Sequence, residues 1–226
     1  MNRMLASVNS LAEAELALAC GVDIIDLKQP AQGALGALET STITTIVTQI
    51  AGRCPLSATI GDLPLQAEVI LPAVTRMAAT GVQYVKIGFF PDGDQRSLIE
   101  HLRPIAAQGT QLIAVLFADA AADFSLLPAL YAAGFTGVML DTMHKQHGSL
   151  LQLLSTTQLR EFVTQAKARG LLSGLAGSLR LQDIADLLPL EPDYLGFRGA
   201  LCNAQQRTNG IDSKAMHVVR QALRNS

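Results

Sequence analysis

The sequence predicts a single (β/α)8 barrel, and three observations support this fold class. Short apolar runs with the length of β-strands alternate with amphipathic, helix-length runs from one end of the chain to the other. Eight such pairs fit into 226 residues, which is within the size range of a single α/β barrel. No linker, low-complexity segment or change in composition marks a second domain, so we expect one domain over residues 1–226. A doubly wound open sheet is the alternative.

The predicted strands are short runs of apolar and β-branched residues, as expected for parallel strands that are covered on both faces. In chain order they are MLASV (Met4–Val8), DIIDLK (Asp23–Lys28), LSATI (Leu56–Ile60), YVKIGF (Tyr84–Phe89), QLIAVLF (Gln111–Phe117), GVMLDT (Gly137–Thr142), LSGL (Leu172–Leu175) and YLGF (Tyr194–Phe197).

The segments that follow these strands have apolar residues at helical spacing. Several end in a stop signal, such as the glycines of ACG before Val22, ATG before Val82 and AAG before Phe135, because glycine tolerates the left-handed backbone just past a helix. Asp94 is a candidate N-cap for the fourth helix. The expected helices are Leu11–Cys20, Ile43–Ala51, Leu65–Ala79, Gln95–Ala107, Leu126–Ala133, Thr157–Arg169, Leu181–Leu187 and Ser213–Asn225.

The composition excludes several classes of protein. Hydrophobic residues make up 49% of the chain and charged residues 16%, which argues against disorder. A net charge of −2 with scattered basic residues gives no nucleic-acid or membrane signature, and no apolar run reaches membrane-spanning length. The N-terminus is too short in its apolar part for a signal peptide. Three well-separated cysteines, Cys20, Cys54 and Cys202, favour the reduced cytoplasm. We expect a small-molecule partner and a homo-oligomer.

The barrel predicts where the functional residues lie, because such barrels place their active sites at the carboxyl ends of the strands. Asp26 and Lys28 are two residues apart at the end of the second strand, so both side chains point to the same face. Buried charges are costly unless they are paired or used. The polar residues at the strand ends are Ser7, Asp26, Lys28, Asp62, Lys86, Asp119, Asp141 and, four residues further, Lys145.

The distribution of lysine supports a catalytic role for this end of the barrel. The chain has five lysines and twelve arginines, and three of the lysines, Lys28, Lys86 and Lys145, fall on strands or just past strand ends. Lysine can lose its proton and attack a carbonyl, whereas arginine stays protonated. This pattern favours imine or proton-transfer chemistry. Neutralisation of anionic ligands or pairing with acids is the alternative.

Two glycine-containing loops are candidates for binding phosphate. SGLAGSLR follows the seventh strand and GFRGALC the eighth, which are the two positions where barrels often bind phosphate. Glycine lets the backbone approach an anion closely, and an arginine adds a direct contact. The predicted phosphate-binding residues are Gly177, Ser178, Arg198 and Gly199; tight turns without a ligand are the alternative. His144 and His147 have metal-binding spacing but no clear third ligand, so no metal is expected.

Six motifs together resemble the (5-formylfuran-3-yl)methyl phosphate synthase family, also called 4-(hydroxymethyl)-2-furancarboxaldehyde-phosphate synthases. They are LASV, GVDIIDLKQPAQGALGA, YVKIGF, GVMLDTMHK, SGLAGSLR and LGFRGALC, and they span essentially the whole chain. The resemblance implies a class I aldolase-type barrel that condenses two glyceraldehyde 3-phosphates, with loss of one phosphate and water, into the furan precursor of the C1 carrier methanofuran. It implies no metal or organic cofactor.

The resemblance also assigns roles to residues that the strand-end positions had already indicated. It implies that Lys28 forms the Schiff base and that Lys86, in YVKIGF, transfers protons. Asp26, Asp141 and Lys145 match further active-site positions in DIIDLK and LDTMHK.

Three other functions share part of this residue pattern. Orotidine-monophosphate-decarboxylase-like barrels share the Asp-x-Lys pattern, but they carry another acid three residues after the lysine, where this chain has Ala31. A class I aldolase acting on another small sugar phosphate would use the same lysine and the same phosphate loops. A non-catalytic barrel that binds a sugar phosphate would need those loops but not three lysines.

Overall fold

Eight parallel strands form a closed barrel in which each strand pairs with its neighbours in sequence and β8 pairs with β1. The structure is a computed structural model that describes residues 3–144, 146 and 148–224. It confirms the (β/α)8 prediction. The strands are β1 (Arg3–Val8), β2 (Ile24–Leu27), β3 (Leu56–Thr59), β4 (Tyr84–Phe89), β5 (Gln111–Phe117), β6 (Gly137–Asp141), β7 (Leu172–Leu175) and β8 (Tyr194–Phe197).

Helices cover the outside of the barrel. In the described part of the chain they are α1 (Leu11–Ala19), α2 (Thr40–Ile50), α3 (Ala67–Ala78), α4 (Gln95–Ala107), α5 (Leu127–Ala132), α6 (Leu150–Leu153), α7 (Thr156–Lys167), α8 (Ile184–Leu187) and α9 (Ser213–Arg224). Within that part, no helix combines the length and the apolar character that a membrane crossing requires.

The helices agree with the sequence prediction except near β6 and β7. Asp94 caps α4 as predicted, since its side chain accepts the backbone N–H of Ser97. The four-residue helix α6 was not predicted, because one turn carries no detectable periodicity. The helix predicted at Leu181–Leu187 is instead a 3-10 turn, Leu181–Asp183, followed by the short helix α8.

The apolar residues form two layers because successive strand residues face opposite sides of the barrel wall. In β2, Ile25 and Leu27 belong to the large layer between strands and helices, whereas Ile24 belongs to the smaller layer inside the barrel. The inner layer fills the barrel interior and reaches the level of Asp141, the register partner of its member Phe117. Its members from the strands are Leu5, Ile24, Ile113, Val115, Phe117, Met139 and Tyr194.

The strand register places an acid and two hydroxyls at one level of the barrel interior. Ser7 of β1 is the register partner of Asp26 in β2, and Asp26 is in turn the partner of Ser57 in β3. Lys86 of β4 pairs in register with Thr59, two residues beyond Ser57, so it is one inward-facing level closer to the carboxyl ends of the strands. The barrel itself therefore positions these four inward-facing side chains.

Candidate active site

Asp26 is the centre of a buried hydrogen-bonded cluster. Its Oδ1 accepts a hydrogen bond from Ser57 Oγ at 2.7 Å and lies 3.0 Å from Lys86 Nζ, and its Oδ2 accepts a hydrogen bond from Ser7 Oγ at 2.9 Å. Asp26 is 0% exposed and Lys86 is 1% exposed. Both carboxylate oxygens are thus satisfied by donors that are fixed on strands, which holds the lysine amine in a single position.

Two lysines keep the buried Asp26 ionised. Burial raises the pKa of this carboxyl, but the positive charges of Lys86 and Lys28, together with the hydrogen bond from Ser57, outweigh burial and hold the pKa below its ordinary value of 3.8. The Asp26 carboxylate attracts two ammonium groups, which explains why it shares one face with Lys28. Lys86, from β4, makes the direct contact.

Lys28 lies at the mouth of the barrel. The strand predicted to end at Lys28 ends one residue earlier, and the Lys28 backbone N–H donates to the carbonyl of Val8 at 3.0 Å. Its Nζ lies 4.0 Å from Oδ2 of Asp141, which is on β6. Lys28 is 6% exposed. Lys28, Lys86 and Asp141 all line a cavity of about 660 Å³ at the carboxyl ends of the strands, so both lysines border the space where a ligand would bind.

Of the five predicted catalytic residues, four come together in this way. Lys145 lies outside the residues that the structure describes, as does His147. The segment that precedes Lys145 is anchored by Asp119, at the end of β5, which accepts the backbone N–H groups of Met143 and His144 at 2.7 Å each.

The loop after β2 has an equivalent anchor at the end of β3. Asp62 accepts the backbone N–H of Ala34 at 2.8 Å and that of Leu35 at 2.7 Å. Gly33 is essential for this arrangement, since its φ is +114° and a Cβ there would lie 2.0 Å from Oδ2 of Asp62. The GALGA segment that follows Lys28 is therefore tied to the barrel by a carboxylate.

Three of the predicted phosphate-binding residues lie in the cavity wall. Gly177, Ser178 and Gly199 line it, and Gly177 and Ser178 have positive φ angles of 110° and 52°. A Cβ at Gly177 would lie 2.8 Å from Cγ2 of Thr142, so only glycine fits between the β6 and β7 loops. Their contact with phosphate stays a prediction.

Arg198 lies in the cavity wall, but its hydrogen bonds favour a structural role over the predicted direct contact with phosphate. Its guanidinium donates to both carboxylate oxygens of Glu13 and to the carbonyls of Ser7, Arg207 and Asn209. These contacts use all five of its N–H groups. The arginine is thus fully occupied in joining α1 and β1 to the segment after β8.

Two other arginines that the sequence analysis did not assign line the same cavity. Arg180 comes at the end of the SGLAGSLR motif, and Arg207 comes from a loop without any motif. Proximity to a phosphate-loop motif was a usable signal for Arg180, whereas nothing in the local sequence distinguishes Arg207.

The described residues contain no group of three or more His, Cys, Asp or Glu side chains that could hold a metal ion. The chemical groups that the site offers are therefore amines, carboxylates, hydroxyls, guanidinium groups and backbone amides. An amine at a cavity mouth, backed by a carboxylate–ammonium pair, is an arrangement suited to carbonyl chemistry.

Comparisons with known proteins identify the relatives of this chain. A relative from Methylorubrum extorquens, whose provisional name is (5-formylfuran-3-yl)methyl phosphate synthase, is 44% identical over 226 residues, covering 98% of this chain and 92% of the relative. The (5-formylfuran-3-yl)methyl phosphate synthase of Methanosarcina mazei is 32% identical over 220 residues, covering 92% of this chain and 94% of the relative.

A solved structure agrees on the fold. The phosphoribosyl anthranilate isomerase of Thermus thermophilus superposes with a TM-score of 0.68 at 14% identity, covering 98% of both chains.

The family model described as 4-HFC-P synthase matches residues 4–220. The chain therefore belongs to the 4-HFC-P synthase family, that of the (5-formylfuran-3-yl)methyl phosphate synthases.

Proposed function

We propose that this enzyme condenses two molecules of glyceraldehyde 3-phosphate into the furan-carboxaldehyde phosphate through a Schiff base on Lys28, as a step toward a methanofuran-type C1 carrier. The observation that carries the proposal is the pair of buried amines, Lys28 and Lys86, which line one cavity and act on one carboxylate, Asp26. Family membership supports the furan-carboxaldehyde phosphate as the product, and the positions of the two lysines support the imine chemistry.

The first steps follow from the positions of the two lysines. The Lys28 amine attacks the aldehyde carbon and water leaves, which gives an imine that withdraws electrons from the adjacent carbon. Removal of a proton from that carbon gives an enamine that expels the phosphate of the same molecule. The carbon that carried this phosphate then attacks the carbonyl of the second molecule, whose aldehyde has been converted to a ketone by proton transfer. Ring closure and aromatisation release two molecules of water, and hydrolysis of the imine returns the Lys28 amine.

The proton transfers need a second group, and Lys86 fits this role. Its Nζ is 3.0 Å from Asp26, so a proton can move between the amine and a carboxylate that Ser7 and Ser57 hold in place. Asp141, 4.0 Å from the Lys28 amine, is positioned to stabilise the cationic imine. Backbone N–H groups around Gly177, Ser178 and Gly199 offer one phosphate site.

Borohydride trapping tests this proposal directly. We expect that incubation with glyceraldehyde 3-phosphate and borohydride leaves a reduced adduct on the peptide that contains Lys28, identified by mass spectrometry. Lys28→Met removes the adduct and lowers turnover by roughly a thousandfold or more. Lys86→Met keeps the adduct but lowers turnover by about a hundredfold or more. Lys214→Met, on the exposed side of α9, is the matched control and changes neither.

Each other outcome contradicts part of the proposal. Substrate that binds without forming an adduct would make Lys28 an electrostatic residue and exclude the imine mechanism. An adduct without a new ultraviolet-absorbing product would favour a class I aldolase. Binding without any turnover in the native protein would favour a non-catalytic sugar-phosphate-binding barrel.

A further inference from the structure

Two guanidinium groups that line the active-site cavity hydrogen-bond only to uncharged oxygens of the described residues. Arg207 donates from Nη2 to the carbonyl of Gly33 at 2.7 Å, and Arg180 donates from Nη1 to the side-chain and main-chain oxygens of Gln205 at 3.0 and 3.4 Å. Neither forms an ion pair with a carboxylate of the described residues. Both keep N–H groups that can bind an anion in the cavity.

The other cations of the cavity differ in this respect. Lys86 is paired with Asp26, Lys28 lies near Asp141, and Arg198 is paired with Glu13. In these three cases a buried carboxylate offsets the loss of hydration that burial causes. Arg180 and Arg207 are partly buried and have no carboxylate of the described residues within ion-pair distance, although Asp141 and Asp62 act on Arg207 from further away. Guanidinium groups in this condition are suited to binding an anionic ligand.

The two arginines occupy different sides of the cavity. The Arg180 Nη1 lies 3.7 Å from where a Cβ of Gly199 would be, so its guanidinium adjoins the loop after β8. Arg207 contacts Gly33, on the loop after β2 that begins with Lys28. Burial lowers the pKa of Arg207, and the carboxylates of Asp141 and Asp62 oppose this effect. Together with the contact to Gly33, this means that the Arg207 charge lies near the carboxyl ends of β2, β3 and β6.

The segment that carries Arg207 is built to hold it over the cavity. Arg198 donates to the carbonyls of Arg207 and Asn209 at 2.8 Å each. The ends of the segment are joined, since the backbone N–H of Asn203 donates to the carbonyl of Gly210 at 3.0 Å. Arg198 is therefore a positioning residue for Arg207.

Acidic side chains are also present at this face, on the side of Arg180. Asp183 and Asp186 line the cavity, but the Asp183 Oδ2 accepts the backbone N–H of Arg180 at 2.8 Å and Asp186 is exposed on α8. Neither of these two is among the carboxylates that act on Arg207, which are Asp141 and Asp62.

We propose that Arg207 forms a second phosphate-monoester site, separate from the site formed by Arg180 and the loops after β7 and β8. The inference rests on the proposed function, because a condensation of two phosphorylated molecules requires that both phosphates be bound in one cavity. Arg207 then binds the phosphate of one substrate beside Lys28 and Asp141, while Arg180 binds the other. Its guanidinium supplies the charge-assisted hydrogen bonds that a phosphate dianion prefers.

Titration with glycerol 3-phosphate, which has no carbonyl and forms no imine, tests the site by calorimetry. We expect two sites in the native enzyme, and one site in Arg207→Met because the Kd of the other rises by roughly tenfold to a hundredfold. Arg180→Met also keeps one site. Arg76→Met, an exposed arginine of α3 outside the cavity, keeps both. A single site in the native enzyme, or two unchanged sites in Arg207→Met, would overturn the proposal.

Kinetics separate this inference from the proposed function. At a saturating concentration of glyceraldehyde 3-phosphate, Arg207→Met still gives the borohydride adduct on Lys28, and its KM rises by about tenfold or more. An unchanged KM in Arg207→Met would contradict the second site while leaving the imine mechanism intact. Absence of the adduct in the native enzyme would instead contradict the mechanism, and the calorimetric result for Arg207 would still stand.

Discussion

At the scale of single residues, Asp26 decides the chemistry of the site. A fully buried carboxylate is costly by itself, and here its two oxygens are matched to three donors, Ser7, Ser57 and Lys86. The carboxylate remains ionised because the lysines outweigh burial. Lys86 in turn depends on Asp26, because the carboxylate is its ion-pair partner inside the barrel.

Asp26→Asn is expected to lower the free energy of unfolding by about 3–5 kcal/mol at pH 7, because it leaves a buried charge on Lys86 without its partner. The native pKa of Asp26 lies below 3.8, so its stabilisation is fully present above pH 3.8 and is lost as the pH falls through the lower native value. Denaturant titration at pH 7, 5 and 3 measures the difference in unfolding free energy between the native and Asp26→Asn proteins. This difference should be the same at pH 7 and pH 5 and smaller at pH 3.

The matched control for this pH dependence is Asp92→Asn. Asp92 is an exposed residue of the turn before α4. We therefore expect its substitution to change the free energy of unfolding by less than about 0.5 kcal/mol at every pH. A difference between native and Asp26→Asn enzyme that grows as the pH falls would contradict the assignment of a lowered pKa.

At the scale of secondary-structure elements, carboxylates after odd-numbered strands anchor the loops of their even-numbered neighbours. Asp62, after β3, accepts two backbone N–H groups of the β2 loop, and Asp119, after β5, accepts two of the β6 loop. Backbone amides in such loops need acceptors when they leave the sheet. These contacts fix Ala34 and Leu35 in the loop after β2, and Met143 and His144 in the loop after β6.

Asp62→Ala is expected to release the β2 loop. Removal of both acceptors leaves the N–H groups of Ala34 and Leu35 unpaired, which costs about 1–3 kcal/mol of unfolding free energy, and hydrogen exchange of these two amides should accelerate. Asp92→Ala is the control and should leave both measurements unchanged. Unaltered exchange at Ala34 and Leu35 in Asp62→Ala would show that the loop has another anchor.

At the scale of the whole molecule, a buried ion pair joins the two ends of the chain where the barrel closes. β1 and β8 are neighbours in the closed sheet, and Glu13 of α1 pairs with Arg198, which follows β8. Glu13 also accepts the backbone N–H of Ile211, before α9. One carboxylate thus connects the first helix to the last strand and to the segment that carries Arg207.

Glu13→Ala is expected to destabilise the protein by about 3–5 kcal/mol, since Arg198 would remain buried without a counter-charge. Thermal or denaturant unfolding measures this effect. Glu15→Ala, two residues further on the exposed side of α1, should change stability by less than about 0.5 kcal/mol. Equal effects of the two substitutions would mean that the Glu13–Arg198 pair is not a structural link.

The sequence by itself determined the eight βα units, because alternation of apolar strands and amphipathic helices is a local pattern that periodicity reveals. It also determined which end of the barrel carries Asp26, Lys28, Lys86 and Asp141, because parallel strands place all their carboxyl ends on one side.

Only the tertiary structure decided which of these residues contact each other. Asp26 and Lys86 are 60 positions apart and Glu13 and Arg198 are 185 apart, and such contacts depend on strand register and barrel closure rather than on local spacing. For the same reason, local spacing did not reveal that the donors of Arg198 are used within the protein, or that Arg207 lines the same cavity. The physical cause is that a side chain's role depends on which of its donors the folded protein already uses, and that becomes known only when distant segments meet.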